Sequence, residues 1–250
     1  MKYLLLLFPF FLFAQTPEVK NLLAEADNAA TVQFDNAKAL QALQKAEAAE
    51  ANNYEILWRI SRTYVDIGEH LPGKTDQEKE KQLEYYQKAL DYANKAIAAN
   101  GNGAEGYLRR AIANGRVALF KGVWSAIDFV KQTKADCEKA ISLDPNNATT
   151  YYVFARTHAK LCEKSKVIRW PLGLGWANME DAIKYYEKAI SLRPDFIMYR
   201  LDAARAYIEE DDYQKAKEQL QTIAALSKHD EDDDQLKKEA KDLLEKIKNK

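Results

Sequence analysis

Cysteine, histidine, proline and glycine are all scarce in this chain. Its 250 residues include 2 Cys, 3 His, 6 Pro and 9 Gly. Two cysteines cannot build a disulfide framework, and the three histidines form no close pair with metal-ligand spacing. Few helix breakers, with abundant Ala, Leu, Lys and Glu, favour helix. No segment shows the sustained β-branched alternation that is typical of strands.

The two cysteines are expected to remain free thiols. Cys137 and Cys162 should lie on adjacent antiparallel helices, with the turn near residue 147. Counted from that turn, their positions differ by roughly 8 Å along the helix axes. Disulfide geometry requires Cα atoms within roughly 7 Å of each other.

Signs of catalysis and of nucleic-acid binding are also missing. The formal net charge is −1, which does not indicate a nucleic-acid surface. Neither cysteine has a neighbouring base, and no glycine–serine nucleophile motif is present. The Gly101-Asn102-Gly103 run lacks the third glycine that dinucleotide binding requires. We therefore predict a protein that is not an enzyme and that uses no metal or cofactor.

Long apolar runs are missing except at the N-terminus. Lys2 precedes an apolar run over residues 3–13, and Ala14 and then polar residues follow. Eleven apolar residues are too few to cross a bilayer of about 30 Å, and the order is that of a cleaved signal peptide. We predict a signal peptide over residues 1–14, an exported, periplasmic or secreted bacterial protein, and no integral membrane span after cleavage. A retained membrane anchor is the alternative.

What the chain does contain is a repeat. The run AISLDP at residues 140–145 returns as AISLRP at residues 189–194. Ala182 and Ala189 recur 34 residues later as Ala216 and Ile223. That period is typical of tetratricopeptide repeats, in which helical hairpins stack on one another. The sequence therefore predicts an all-α, tetratricopeptide-like solenoid of helical hairpins.

The same 34-residue register predicts that residues 15–250 form a single repeat domain. An apolar stripe over about residues 235–249 predicts a capping helix, which terminal repeats need for solubility. The connector 228–234 is interpreted as a solvated acidic linker, with weak calcium binding as the alternative. The five predicted repeats cover about residues 20–53, 54–103, 104–147, 148–196 and 197–230.

Three segments carry a resemblance to a known family. They are LWRISRTY at residues 57–64, CEKAISLDPNNATTYYVFARTH at 137–158 and YYEKAISLRPDF at 185–196. With the long insertions, over about residues 54–220, they resemble the regulator of microtubule dynamics family. Members are helical-repeat proteins, often tethered to membranes in eukaryotic cells and linked to microtubules or membrane contacts. The resemblance implies a helical-repeat fold and a concave surface that can accommodate an amphiphile. The predicted export signal departs from the family.

Tetratricopeptide proteins line their concave face with fixed positions of each first helix. In this chain those positions carry apolar residues and five cations. Guanidinium groups bind carboxylate or phosphate with paired donors, so the arginines among them are candidate contacts for an anionic group. Alternatively, the arginines pair within a helix, as Arg62–Asp66 and Arg205–Glu209 would at four-residue spacing. The predicted groove residues are Trp58, Arg62, Val65, Leu108, Ile112, Arg116, Tyr152, Arg156, Ala159, Lys160, Leu201, Arg205 and Ile208.

One insertion is unusually apolar for a loop. Residues 169–176 include Trp170, Leu172, Leu174 and Trp176. The segment is expected to fold back over an edge of the core. Otherwise it is a lid or an adhesive contact surface.

These features predict a protein that binds a partner and performs no chemistry. The first hypothesis is a non-catalytic scaffold of the bacterial cell envelope that holds a peptide or protein partner in its concave groove. The alternative is a carrier of an acidic amphiphile, a fatty acid or phospholipid. In that case an apolar chamber would hold the chain, and arginines would contact the anionic lipid headgroup.

Overall fold

The computed structural model describes residues 16–250. In that range the chain forms twelve α-helices and one short 3-10 helix, and no strand is present. The predicted all-α class is thereby confirmed. The signal peptide predicted over residues 1–14 lies outside the described residues.

The helices form five hairpins followed by one further helix, which confirms the predicted helical-hairpin solenoid. The hairpins overlap the five predicted repeats, and α12 (Asp233–Lys246) overlaps the predicted cap. A short α8 (Lys166–Arg169) and the 3-10 helix Trp170–Leu172 interrupt the fourth hairpin. The hairpins pair α1 (Pro17–Thr31) with α2 (Asn36–Ala49), α3 (Tyr54–His70) with α4 (Asp76–Ala99), α5 (Ala104–Ala118) with α6 (Val123–Leu143), α7 (Ala148–Cys162) with α9 (Met179–Leu192), and α10 (Ile197–Glu209) with α11 (Tyr213–Ile223).

Short polar side chains define where many of the helices begin. Thr75 accepts a hydrogen bond from the backbone N–H of Glu78, and the Glu78 carboxylate accepts one from the backbone N–H of Thr75. Such a reciprocal capping box satisfies donors that the first helical turn leaves unpaired. Asn147 likewise caps α7 by accepting from the N–H of Thr150 at 3.1 Å. Local sequence therefore fixes several boundaries of the hairpins.

The first helices of the hairpins form the inner layer of the solenoid, comprising α1, α3, α5, α7 and α10. Helix α3 packs against α5, α5 against α7, and α7 against α10. Within residues 16–250 the second helices of neighbouring hairpins do not pack closely in this way. A solenoid curves towards the side on which its elements approach most closely, so the inner layer lines the concave face.

Small residues allow the helices to approach closely in the core. Ala89, Ala93 and Ala96 are fully buried along one side of α4. Cys137 is also fully buried and Cys162 is half-buried, and both are free thiols, as expected. Burial raises the pKa of the Cys137 thiol, which keeps it protonated and unreactive.

The connector between α11 and α12 returns to the second hairpin. Nε2 of His70 lies 3.5 Å from a carboxylate oxygen of Glu231 and 3.4 Å from one of Asp232. Asp233 folds this segment into a turn by accepting hydrogen bonds from two backbone N–H groups. The connector is therefore solvated only in part, because Glu231 and Asp232 approach the end of α3 and Asp233 is buried. Among residues 16–250 no group of His, Cys, Asp and Glu is placed to hold a metal ion.

Candidate functional site

Trp58 lies at the centre of a group of arginines in the inner layer. The guanidinium carbons of Arg59, Arg109 and Arg62 lie 4.2, 5.4 and 5.6 Å from the centre of its ring. Its indole N–H donates to the Glu55 carboxylate at 3.0 Å. The residue is only 9% exposed, so Trp58 is buried among these guanidinium groups in the inner layer.

The arginines around Trp58 are held by carboxylates of the same chain. Arg62 pairs with Asp27 of α1 at 3.0 Å, and the alternative pair with Asp66 is not formed. Burial disfavours ionisation of Asp27, but Arg59 and Arg62 together lower its pKa. Further pairs join Arg59 to Asp27 and Glu55, and Arg109 to Glu105. These guanidinium groups are therefore largely neutralised before any ligand binds.

The middle of the groove contains carboxyl groups that the predicted lining does not include. Glu69 of α3 forms an ion pair with Arg116 of α5. One turn earlier, Asp66 is half-buried. Burial and then Glu69 raise the pKa of Asp66 to about 7, although Arg62 and Arg109 act in the opposite direction. This part of the groove therefore holds acidic groups beside the predicted cations.

Arg156 differs from the other predicted groove arginines. Its Nη1 donates to the Tyr152 hydroxyl at 3.3 Å, and that hydroxyl donates to Asp202 of α10 at 2.8 Å. Tyr152 also stacks on Tyr199, with ring centres 4.7 Å apart. Within the described chain Arg156 forms no ion pair with a carboxylate, and its side chain is exposed. It therefore presents a positioned guanidinium group to solvent.

The two remaining predicted cations are already paired. Arg205 contacts Asp202 at 2.6 Å and Glu239 of α12 at 2.7 Å, and the alternative pair with Glu209 is not formed. Lys160 is exposed and pairs with Glu163 at 2.9 Å. Arg205 thus joins the fifth hairpin to the final helix.

The apolar part of the predicted lining is mostly core. Leu108 and Leu201 are fully buried, and Val65 is buried as well. Ile112, Ala159 and Ile208 retain partial exposure. We therefore assign Leu108 and Leu201 to the packing between hairpins, which corrects their predicted place in the groove. The apolar surface open to a ligand is smaller than expected.

The apolar insertion is divided between core and solvent. Buried Arg169 donates to the backbone carbonyls of Lys164, Leu174 and Ala177 at 2.9, 3.3 and 2.6 Å. Leu174 is buried, and the Trp176 ring lies 4.9 Å from that of buried His158. This half folds back over the core edge, as expected, and Leu172 is half-buried. Trp170 instead is 73% exposed.

Several residues that pair with the arginines of the site are absent from the predicted set. Glu55 and Arg59 are four residues apart, and so are Glu105 and Arg109. That spacing in a helix predicts both ion pairs from the sequence. The partners of other arginines lie on different helices. No local signal identifies Asp27, Glu69 or Glu239 as such a partner.

Comparison with known proteins identifies relatives in mammals. The chain is 28% identical over 204 residues to regulator of microtubule dynamics protein 1 of Bos taurus, which covers 78% of this chain and 62% of the relative. It is 26% identical over 212 residues to regulator of microtubule dynamics protein 3 of Bos taurus, covering 81% and 43%. The chain thus matches about three fifths of the first relative and less than half of the second.

These relatives correct the predicted location. An exported, periplasmic or secreted bacterial protein was expected from the N-terminal residues. The similar proteins are eukaryotic and do not support that location, so the prediction is wrong. Within residues 16–250, no helix combines the length and the apolar character needed to cross a membrane.

A solved structure supports the same fold. A thermophilic tetratricopeptide-repeat protein of Thermus thermophilus superposes with a TM-score of 0.67, covering 89% of this chain and 98% of the other. At 16% sequence identity the likeness concerns the fold alone. The tetratricopeptide fold is typical of scaffolds for protein interaction. The family model described as regulator of microtubule dynamics protein 1-3 matches residues 22–248, and the chain therefore belongs to that family.

Proposed function

We propose that this chain is a non-catalytic scaffold that holds a segment of a protein partner along its inner layer. The observation that supports the proposal most directly is the exposed Arg156, which has no carboxylate partner within the described chain. Arg62, Arg116 and Arg205 are each paired with a carboxylate. Arg156 therefore has unused donors for an incoming group.

The chemistry of Arg156 defines the group that it would bind. A guanidinium group offers planar, paired donors that match a carboxylate. The Tyr152–Asp202 hydrogen bond fixes the hydroxyl that Arg156 contacts, so the guanidinium group is positioned before binding. A partner segment with an aspartate, a glutamate or a terminal carboxylate would satisfy it. Half-buried Ile112 and Ile208 supply apolar contacts along the same layer.

The family name gives the process that we propose for such a partner. The relatives are named as regulators of microtubule dynamics, and we propose that this chain serves a process of that class by holding a protein segment. The amphiphile carrier has less support, because Leu108 and Leu201 of its expected apolar lining are fully buried.

The proposal can be tested with a displayed library of random peptides selected on the purified chain. Peptides that bind are expected to carry a carboxylate, and Arg156→Glu should weaken their binding about tenfold or more. The melting temperature should change little, because Arg156 forms no ion pair within the described chain. Lys139→Glu, the same type of charge reversal on exposed α6, is the matched control. Equal affinity of wild type and Arg156→Glu for the selected peptides would contradict the proposal.

A further inference from the structure

Large apolar side chains are strongly exposed mainly in one region of the molecule. Trp124, Val167 and Trp170 are 77%, 82% and 73% exposed. Among the described residues, strong exposure of large apolar side chains outside this region is seen only at Val32. We define the apolar rim as Leu119, Trp124, Val167, Ile168 and Trp170.

The two segments of the apolar rim are neighbours in space. Each segment lies where the first helix of a hairpin connects to the second, one in the third hairpin and one in the fourth. Both segments therefore lie along the same edge of the solenoid. Trp124 and Lys131 are seven residues apart in α6, which places them on one helix face about 10 Å apart. Gly173 of the insertion lies against that lysine, since a Cβ atom at Gly173 would be 3.4 Å from Cε of Lys131.

The exposure of Trp170 follows from a folded loop. The neighbouring Arg169 is buried and bonded to three carbonyls. Gly173 has a φ of +72°, which a residue with a side chain rarely adopts. Gly175 is in close contact with the Trp170 ring, because a Cβ atom there would lie 2.8 Å from Cδ1. The loop thus holds Trp170 outwards while Leu174 and Trp176 pack inwards.

The surroundings of the apolar rim are basic, although the chain as a whole has a net charge of −1. The two segments that carry the apolar rim, residues 119–131 and 160–176, contain two acidic residues. Asp128 is exposed, and Glu163 pairs with Lys160. Four lysines of these segments form no ion pair among the described residues. They are Lys121, Lys131, Lys164 and Lys166.

We propose that the apolar rim docks the solenoid onto the surface of an anionic lipid bilayer. Tryptophan and aliphatic side chains favour the interfacial region of a membrane, and lysines beside them are attracted to anionic headgroups. Protein interfaces also favour tryptophan, but they are depleted of lysine. The combination of projecting tryptophans with unpaired lysines therefore favours a lipid surface. The docking is independent of the groove and of its partner.

Cosedimentation of the full chain with vesicles tests the proposal. Vesicles of phosphatidylcholine with phosphatidylserine should bind the chain more tightly than phosphatidylcholine alone. Lys164→Glu combined with Lys166→Glu should weaken binding to the anionic vesicles roughly thirtyfold or more. Trp124→Ser combined with Trp170→Ser should weaken it about tenfold or more. The matched controls are Val32→Ser for apolar exposure, and Lys139→Glu with Lys241→Glu for charge.

A second measurement locates the contact without any substitution. Hydrogen exchange of the wild-type chain should slow at residues 119–124 and 164–170 when anionic vesicles are added. Absence of binding overturns the proposal, as does binding that neither double variant weakens and that leaves these residues unprotected. The chain could instead form a dimer that does not bind vesicles and that dissociates when Trp124→Ser is combined with Trp170→Ser. That result would identify the apolar rim as a contact between two copies and would also overturn the proposal.

Discussion

The Arg59 guanidinium lies 4.2 Å from the centre of the Trp58 ring and 3.0 Å from the Asp27 carboxylate. One side chain thus joins the buried ring of Trp58 in α3 to the first hairpin. Asp27 also binds Arg62, so one carboxylate of α1 is shared by two arginines of α3. Removal of one partner from a partly buried pair of this kind is destabilising, because the other charge is left uncompensated.

We expect Trp58→Ala to destabilise the protein by about 3–5 kcal/mol, the range for removal of a buried aromatic side chain. The loss should exceed that of most single changes, because three guanidinium groups lie against this ring. Urea unfolding, followed by circular dichroism, measures the change in free energy. Trp58→Phe retains a ring face and should lose clearly less. Equal losses for both variants would show that the cation–π contacts contribute little.

The raised pKa of Asp66 predicts a stability that falls as the pH rises. Its pKa is about 7 in the folded chain, against an ordinary value of 3.8. Between these pH values the folded state binds more protons than the unfolded state, so each step up in pH favours unfolding. Asp66→Asn cannot ionise. We expect it to be about 1–3 kcal/mol more stable than the wild type at pH 8, since solvent screens part of the effect.

The advantage of Asp66→Asn should shrink as the pH falls from 7 to 4, because the wild-type carboxyl group gains its proton in the folded state while the unfolded state stays largely ionised. Urea midpoints at several pH values measure this difference. Asp128→Asn, the same substitution at an exposed position of α6, is the matched control. A constant difference between Asp66→Asn and the wild type across this range would contradict the assigned pKa.

Arg169→Ala is expected to release the insertion of the fourth hairpin. The backbone carbonyls of Lys164, Leu174 and Ala177 would lose their donor, at a cost of about 1–3 kcal/mol. Limited proteolysis should then cleave within residues 164–178 faster than in the wild type. Arg169→Lys should be intermediate, because an ammonium group cannot reproduce the fork of guanidinium donors. Unchanged cleavage of Arg169→Ala would show that packing of Leu174 and Trp176 alone holds the loop.

The fold was largely predictable because its determinants are local and periodic. The 34-residue spacing of Ala182, Ala189, Ala216 and Ile223 places buried residues at equivalent positions of successive hairpins. Polar residues such as Thr75 and Asn147 mark helix starts in the sequence itself. Four residues after Arg156 stands Lys160, so the sequence offers Arg156 no acid at that spacing within its helix.

The charge of the groove was decided by the tertiary structure. The sequence determined that a stack of helical hairpins would form and which first-helix positions carry arginine. It did not determine which arginines remain free, because Asp27 is 35 residues from Arg62 and Glu239 is 34 residues from Arg205. Only stacking brings such distant residues within hydrogen-bond distance. Since guanidinium groups pair with whichever carboxylate the packing brings nearest, the neutralisation of Arg62 and Arg205 and the exposure of Arg156 are properties of the assembled solenoid.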